Sequence, residues 1–253
     1  IDDEMYGIDG VYRPADVEHS LPPVAEGQGV PVGTSLNILD PNLFGNGDTL
    51  HITIERGQAG FSNAIGYYSI ADNGDIFDVH LLPALPGYST YGEKSINYAV
   101  DYQGWIDIPV PDGHRFGFFL LSNGGNINKD LFAENKGEII NNLRLVDFEN
   151  AGITANIFRD RPTTLYHEKP DGTLELVGGW VFHSVDTTPG DNANPLNAGG
   201  YSQALVGIDD GVLTFAFEDI VVRDWTSVDN TYDFNDVFVR VENLVHAADT
   251  VAV

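Results

Sequence analysis

The sequence contains no cysteine. Disulfides, thiolate zinc sites and cysteine nucleophiles are excluded together. Basic residues are scarce as well: 12 Lys and Arg stand against 38 Asp and Glu, for a formal charge of -26. A chain this acidic repels a phosphate backbone instead of releasing its counterions, which argues against nucleic-acid binding. Anionic membrane surfaces are disfavoured for the same reason unless a cation bridges the two. No apolar run approaches the roughly 20 residues needed to span a bilayer, so membrane insertion is not expected. Catalytic signatures are missing too: the chain has no G-x-S-x-G elbow, no H-E-x-x-H pair and no phosphate-binding G-x-x-x-x-G-K-[ST] loop. Its 7 histidines are scattered. Abundant carboxylates can always supply a glycosidase pair, but among so many acids such a pair has almost no specificity. The expectation is a protein that is not an enzyme, with a carbohydrate-active enzyme as the weakest alternative.

What is present is enough for a core. Hydrophobic residues make up 42% and aromatics 11%, while 28 glycines and 13 prolines punctuate the chain too often for long helices. Short runs rich in β-branched and aromatic residues alternate with Gly/Asn/Asp clusters, the pattern of an all-β protein. Leu50–Glu55 alternates cleanly. Ala64–Ile70 and Ile76–Leu82 flank the turn signal Asp72-Asn73-Gly74-Asp75, and Thr163–His167 and Thr173–Val177 flank Pro170-Asp171-Gly172. Arg115–Leu121 is nearly all apolar, as a buried central strand would be. Ala204–Ile208, Gly211–Phe217 and Val237–Val241 complete the set, and Asn126–Asn142 is the best helical candidate. Many short strands spaced by turns predict a β-sandwich or jelly roll with long loops. The Pro-rich residues 1–32 read as an extended N-terminal arm, 33–246 as a single sandwich domain and 247–253 as a tail. No basic and apolar leader follows Ile1, so no N-terminal signal peptide is visible, as would also hold for a processed chain.

The most informative region is Gly211–Glu242. A strand ending in Glu218-Asp219 is followed, after a loop, by a strand entered through Asp233-Phe234-Asn235-Asp236. If the two pair as a hairpin, the end of the first lies beside the start of the second, and Glu218, Asp219, Asp233 and Asp236 converge with the Asn235 amide. Two like charges about 4 Å apart cost roughly 4 kcal/mol at an effective dielectric near 20, so a cluster of carboxylates asks for protons, water or a cation. An all-oxygen donor set suits calcium, with its 6–8 oxygens at about 2.3–2.6 Å. Asp229, Asp209 and Asp210 are further candidates, although Asp209-Asp210-Gly211 also reads as a hairpin turn. Trp225 lies between the two acidic groups and is the preferred ligand contact, whereas Trp105 and Trp180 read as core or rim packing. Tyr67 and Tyr68 are adjacent on a strand, so one is expected to face in and the other out.

Phe217-Glu218-Asp219, a loop, and then Asp233-Phe234-Asn235-Asp236-Val237-Phe238-Val239 resembles the acidic C-terminal end of a module of undefined function found in RTX-type adhesins and haemolysin-type calcium-binding proteins. Phe61–Tyr68 with Asp72-Asn73-Gly74 is similar to its opening strand pair, Arg115–Leu120 to its central strand, and Asn194-Pro195-Leu196-Asn197 with Ala204-Leu205 to the stretch before its last hairpin. The resemblance spans about residues 50–243 and is strongest at the acidic motif. It implies an extracellular calcium-binding β-sandwich with an adhesive role, in which Glu218, Asp219, Asp233, Asn235 and Asp236 are ligands and the ion helps hold a peptide or carbohydrate. Residues 143–195 depart from the module, being longer and more irregular, and are expected to reshape any ligand pocket. The acid and small apolar residues at Asp249–Val253 resemble uncleaved C-terminal signals of type I secretion, which fits a secreted or cell-surface location. The alternative is a structural subunit of a surface layer or extracellular filament, in which calcium and the N-terminal arm join copies of the chain.

Overall fold

The computed structural model describes residues 43–45, 47, 49–56, 61–82, 106–110, 113–135, 138–159, 161–185, 192–209, 212–221, 232, 234 and 236–243. The expected arm (1–32) and tail (247–253) lie outside the described residues. In chain order the first strands are β1 (Leu43–Phe44), β2 (Thr49–Arg56), β3 (Ala64–Ile70), β4 (Ile76–Leu81), β5 (Ile106–Pro109) and β6 (Arg115–Ser122). Two short helices follow, α1 (Gly124–Ile127) and α2 (Lys129–Asn135). Then come β7 (Ile140–Asp147), β8 (Asn150–Thr154), β9 (Thr163–Glu168), β10 (Leu174–Val177) and β11 (Trp180–His183), and finally β12 (Ala204–Asp209), β13 (Val212–Phe217) and β14 (Val237–Asn243).

These strands form two antiparallel sheets packed on one core, an all-β sandwich. The larger, of nine strands, runs β1-β6-β3-β4-β7-β9-β10, with β11 sharing an edge of β6 with β1 and β8 pairing with β7. The smaller runs β12-β13-β14-β2-β5. Alternation sets the inner face of the smaller sheet: Leu50, Ile52 and Ile54 of β2, Leu213, Phe215 and Phe217 of β13, and Val237, Val239 and Val241 of β14 are all buried. Their registers stack them into rows, with Val239 opposite both Phe215 and Ile54. β6 is buried almost throughout, as its unbroken apolar sequence predicts for a strand covered on both faces. Phe118 of β6 meets Phe215 edge-on with ring centroids 5.3 Å apart, joining the two layers at the middle of the core. Burying a ring of this kind contributes about 1.5–3 kcal/mol.

The turns hold the hairpins in register as the sequence predicts. Gly74 (φ 85°) and Gly172 (φ 80°) take left-handed conformations in the β3–β4 and β9–β10 turns, where a side chain would be strained. Gly172 N–H bonds Lys169 O at 2.8 Å, and Thr173 N–H bonds Asp171 Oδ1 at 2.9 Å.

Two expectations are corrected. The helical candidate Asn126–Asn142 is helical only to Asn135, and its end is the start of β7, where Ile140, Leu143 and Leu145 pack into the core. Cross-strand partners on β4 and β9 outweigh a weak helical period there. Tyr67 and Tyr68 do not divide between inside and outside, since both are buried. Tyr68 points to the interior, while Tyr67 is covered by the His80 ring opposite it on β4, stacked at 4.7 Å.

Tyr68 belongs to a polar group enclosed in the fold. His183 accepts or donates through Nδ1 to the Tyr68 hydroxyl at 2.8 Å and through Nε2 to the Thr163 hydroxyl at 2.6 Å. Its N–H bonds Asn197 Oδ1 at 2.7 Å. Burial drives the imidazole pKa down from 6.5 to about 3 and pushes the Tyr68 phenol well above its ordinary value.

Candidate metal centre and adjoining groove

The acidic motif is built by the β13–β14 pairing. Phe217 lies opposite Val237, and the ladder continues one step further through Asp236 N–H to Phe217 O at 3.2 Å. On the other side Glu218 N–H bonds Gln203 O at 3.0 Å. The chain then turns away, and the turn is fixed by carboxylates. Asp219 N–H donates to Asp236 Oδ2 at 2.7 Å, Ile220 N–H to Glu218 Oε1 at 3.3 Å, and Phe234 N–H to Glu218 Oε2 at 3.4 Å. Phe234 is buried and adopts φ 51°, a left-handed conformation that is an outlier for a bulky residue. Strain of this kind costs on the order of 1–3 kcal/mol and persists where surrounding contacts over-determine it.

Asp219 also ties the smaller sheet to the larger one. Its Oδ2 accepts from Asn63 Nδ2 at 2.8 Å and from Phe61 N–H at 3.2 Å, both just before β3. Its carbonyl accepts from Ser122 Oγ, at the end of β6, at 2.8 Å. Asn63 is fully buried, and its Oδ1 in turn accepts from Asn123 N–H at 3.0 Å. The carboxylates of Glu218, Asp219 and Asp236 thus meet at one end of the sandwich, with ligand oxygens all within 4.8 Å of one another and relative exposures of 3%, 2% and 6%. Hydrogen bonds from backbone N–H groups and the Asn63 amide orient them. Among the described residues the grouped donor atoms are all carboxylate oxygens, ligands that a hard cation accepts.

Asp219 has a second role as part of the wall of a groove of about 700 Å³. The groove runs from the end of β6 across the β7–β8 turn to the start of β11. Phe148 in that turn and Trp180 at the head of β11 stack nearly parallel, with centroids 5.9 Å apart and an interplanar angle of 23°. They remain 53% and 47% exposed, although both are large and apolar. Phe61, Ile127, Leu176 and Ile220 extend this apolar lining and are also exposed. Asn128 braces the region, donating to Gly124 O and Gly178 O at 2.7 and 2.8 Å and accepting from Gly178 N–H at 2.8 Å.

The chain matches no family model, no curated protein and no solved structure.

Of the residues predicted from sequence, the fold brings Glu218, Asp219 and Asp236 together. Asp233, Asn235, Asp229 and Trp225, together with Asp210 and Trp105, lie outside the described residues. Asp209 is not part of the cluster: it ends β12 at the far end of the hairpin and is ion-paired with Arg240. Trp180 proves to be a half-exposed groove residue, stacked at the rim. Asn63 and Ser122, which anchor Asp219, carry no recognisable signal in the sequence. The stretch 143–195, expected to reshape any ligand pocket, supplies the end of β7 and all of β8 to β11 and, through Phe148, Thr164, Leu176, Gly179 and Trp180, much of the groove wall.

Proposed function

We propose that the chain is a secreted or cell-surface calcium-binding β-sandwich with an adhesive, ligand-binding role. The observation that carries this reading is the convergence of three buried carboxylates, Glu218, Asp219 and Asp236, within 4.8 Å. Desolvated like charges at this spacing repel strongly, and a divalent cation offsets that repulsion while accepting all three as oxygen ligands. Glu218, Asp219 and Asp236 are the described residues that would hold the ion; the resemblance to the calcium-binding adhesin module adds Asp233 and Asn235, and Asp229 is a further candidate from its place in the loop between the two acidic groups. When bound, calcium supplies positive charge and open coordination positions for a ligand oxygen. The chain's own part is to orient the carboxylates through the N–H groups of Asp219, Ile220 and Phe234 and the Asn63 amide. Because Asp219 bridges the two sheets, ion binding is coupled to their packing. The exposed aromatic groove beside the cluster supports a ligand-binding role.

Thermal unfolding of the whole chain in calcium, in magnesium and in chelator tests the reading. An ion that binds only the folded state at 100 times its dissociation constant adds about 2.7 kcal/mol, or roughly 5–10 °C in a chain of this size. Calcium is expected to produce that shift and magnesium a smaller one. Asp219→Asn/Asp236→Asn should abolish the response. A transition that ignores chelation, with the double variant as stable as the parent or more so, would mean that protonation and not a metal relieves the cluster, and the proposal would fall.

A further inference from the structure

We infer that the groove beside Asp219 is a homophilic contact surface, whose occupant is the same surface of a second copy of the chain. The inference rests on the adhesive reading above and names the partner.

Eight large hydrophobic side chains are exposed among the described residues, and six of them, Phe61, Ile127, Phe148, Leu176, Trp180 and Ile220, line this one groove. The other two, Phe77 and Phe158, sit at the opposite end of β6, against His114 and Arg115. At about 200 Å² for a large side chain, six half-exposed ones present roughly 600 Å². That is the upper limit of what a monomer ordinarily leaves open, and about three quarters of the roughly 800 Å² that each partner contributes to a stable interface. Composition points the same way. Of the 13 lining residues four are aromatic and Asp219 alone is charged, its carboxylate buried and held by the Asn63 amide, in a chain with 38 acids. Aromatic enrichment with depletion of charge is the mark of an interface core. Charge also selects the partner. A basic partner is recognised through exposed carboxylates, whereas two copies of net charge -26 can meet only where opposed carboxylates are few.

The rim supplies hydrogen-bonding groups that suit a polypeptide. β10 ends the larger sheet, with β9 as its one strand partner among the described residues. Lys169 N–H bonds Thr173 O at 2.9 Å, and hydrogen-bonded pairs alternate along an antiparallel ladder. Glu175 and Val177 therefore turn their backbone groups to β9, and Leu174 and Leu176 turn theirs to the open edge. Leu176 thus offers an apolar side chain to the groove and an N–H and C=O beside it, the arrangement that draws a second chain onto an edge. A two-fold axis beside Leu176 sets this edge against its own copy in the antiparallel sense used throughout the sheet, and makes the contact isologous and closed.

Sedimentation velocity of the whole chain in calcium, across concentration and ionic strength, tests the assignment. Trp180→Asp and Leu176→Asp place a carboxylate in the patch, and Phe158→Asp is the control outside it. The parent is expected to form a closed dimer in the micromolar range that tightens as salt rises, because screening relieves repulsion between the copies while the apolar contact remains. Each groove variant should weaken the dimer about thirtyfold or more, and Phe158→Asp should leave it unchanged. All three side chains are about half exposed or more, so at high dilution the variants should melt like the parent. Amide exchange in the parent gives a readout free of any substitution: β10 should exchange more slowly as concentration rises, since the Leu176 N–H enters the contact. A chain that stays monomeric at high micromolar concentration in every salt condition overturns the assignment. So does a dimer that ignores both groove variants, is lost in Phe158→Asp or weakens with salt, as do open-ended assembly and β10 exchange that is independent of concentration. The two readings separate cleanly. If calcium raises the melting transition while the chain stays monomeric, the homophilic assignment falls and the metal reading stands. If the dimer forms through the groove with or without chelator, and chelation leaves melting unchanged, the metal reading falls and this assignment stands.

Discussion

The buried imidazole of His183 makes stability fall in mild acid, independently of any carboxylate. Its neutral form is enclosed between the Tyr68 and Thr163 hydroxyls at 2.8 and 2.6 Å. Both hydroxyls can rotate to donate or accept, so the hydrogen-bond geometry does not by itself forbid a cation. The penalty comes from removing the charge from water, which lowers the pKa from 6.5 to about 3. The native state therefore binds fewer protons than the unfolded state between these values, and stability is lost as pH falls through that window. Above pH 6.5 the contribution is fully present; below about pH 3 both states are protonated and the loss levels off. At pH 5 the unfolded imidazole is protonated and the native one is not, a cost of about 2 kcal/mol relative to pH 7 at 1.36 kcal/mol per unit. Denaturant unfolding of the parent and of His183→Gln at both pH values gives the measurement. The variant lacks the titrating ring, and the carboxylate contributions common to both proteins cancel in the difference. The stability gap between parent and variant should shift by about 2 kcal/mol against the parent from pH 7 to pH 5. Parallel pH profiles, or an NMR titration of the His183 ring with a midpoint near 6.5, would refute the reasoning.

Two further substitutions probe packing and turn chemistry. A Cβ at Gly66 would lie 2.2 Å from the Phe119 ring and 2.3 Å from the His80 carbonyl oxygen, so Gly66→Ala should cost about 3 kcal/mol by chemical denaturation, because the backbone atom cannot move aside cheaply. Gly172 has the opposite character: φ is +80° with no atom within 4 Å of the new Cβ, so Gly172→Ala should cost only about 1 kcal/mol, from backbone strain alone.

Most of the strands and the heart of the acidic site are written in local sequence pattern. Alternation in Leu50–Glu55, the unbroken apolar run Arg115–Leu121 and the Gly-containing turns at 72–75 and 170–172 encode burial and chain reversal within a few residues, so β2, β3, β4, β6, β9 and β10 are legible locally. Pairing of β13 with β14 follows from the same logic, and it alone places Glu218 and Asp219 beside Asp236. Contacts between distant elements set what periodicity does not carry. β7 emerges from a stretch with a weak helical pattern because β4 and β9 supply its partners, and β11 is defined by pairing with β6, far away in the chain. Phe234 takes a left-handed conformation with no Gly or Asn to announce it. Asn63 and Ser122 become supports of Asp219 only when the two sheets close, and the groove exists only because the β7–β8 turn, β11 and the end of β6 meet there. Local pattern specifies which face of a strand is apolar; which distant face covers it, and which polar groups are thereby brought together, depends on contacts between elements that no single stretch of sequence contains.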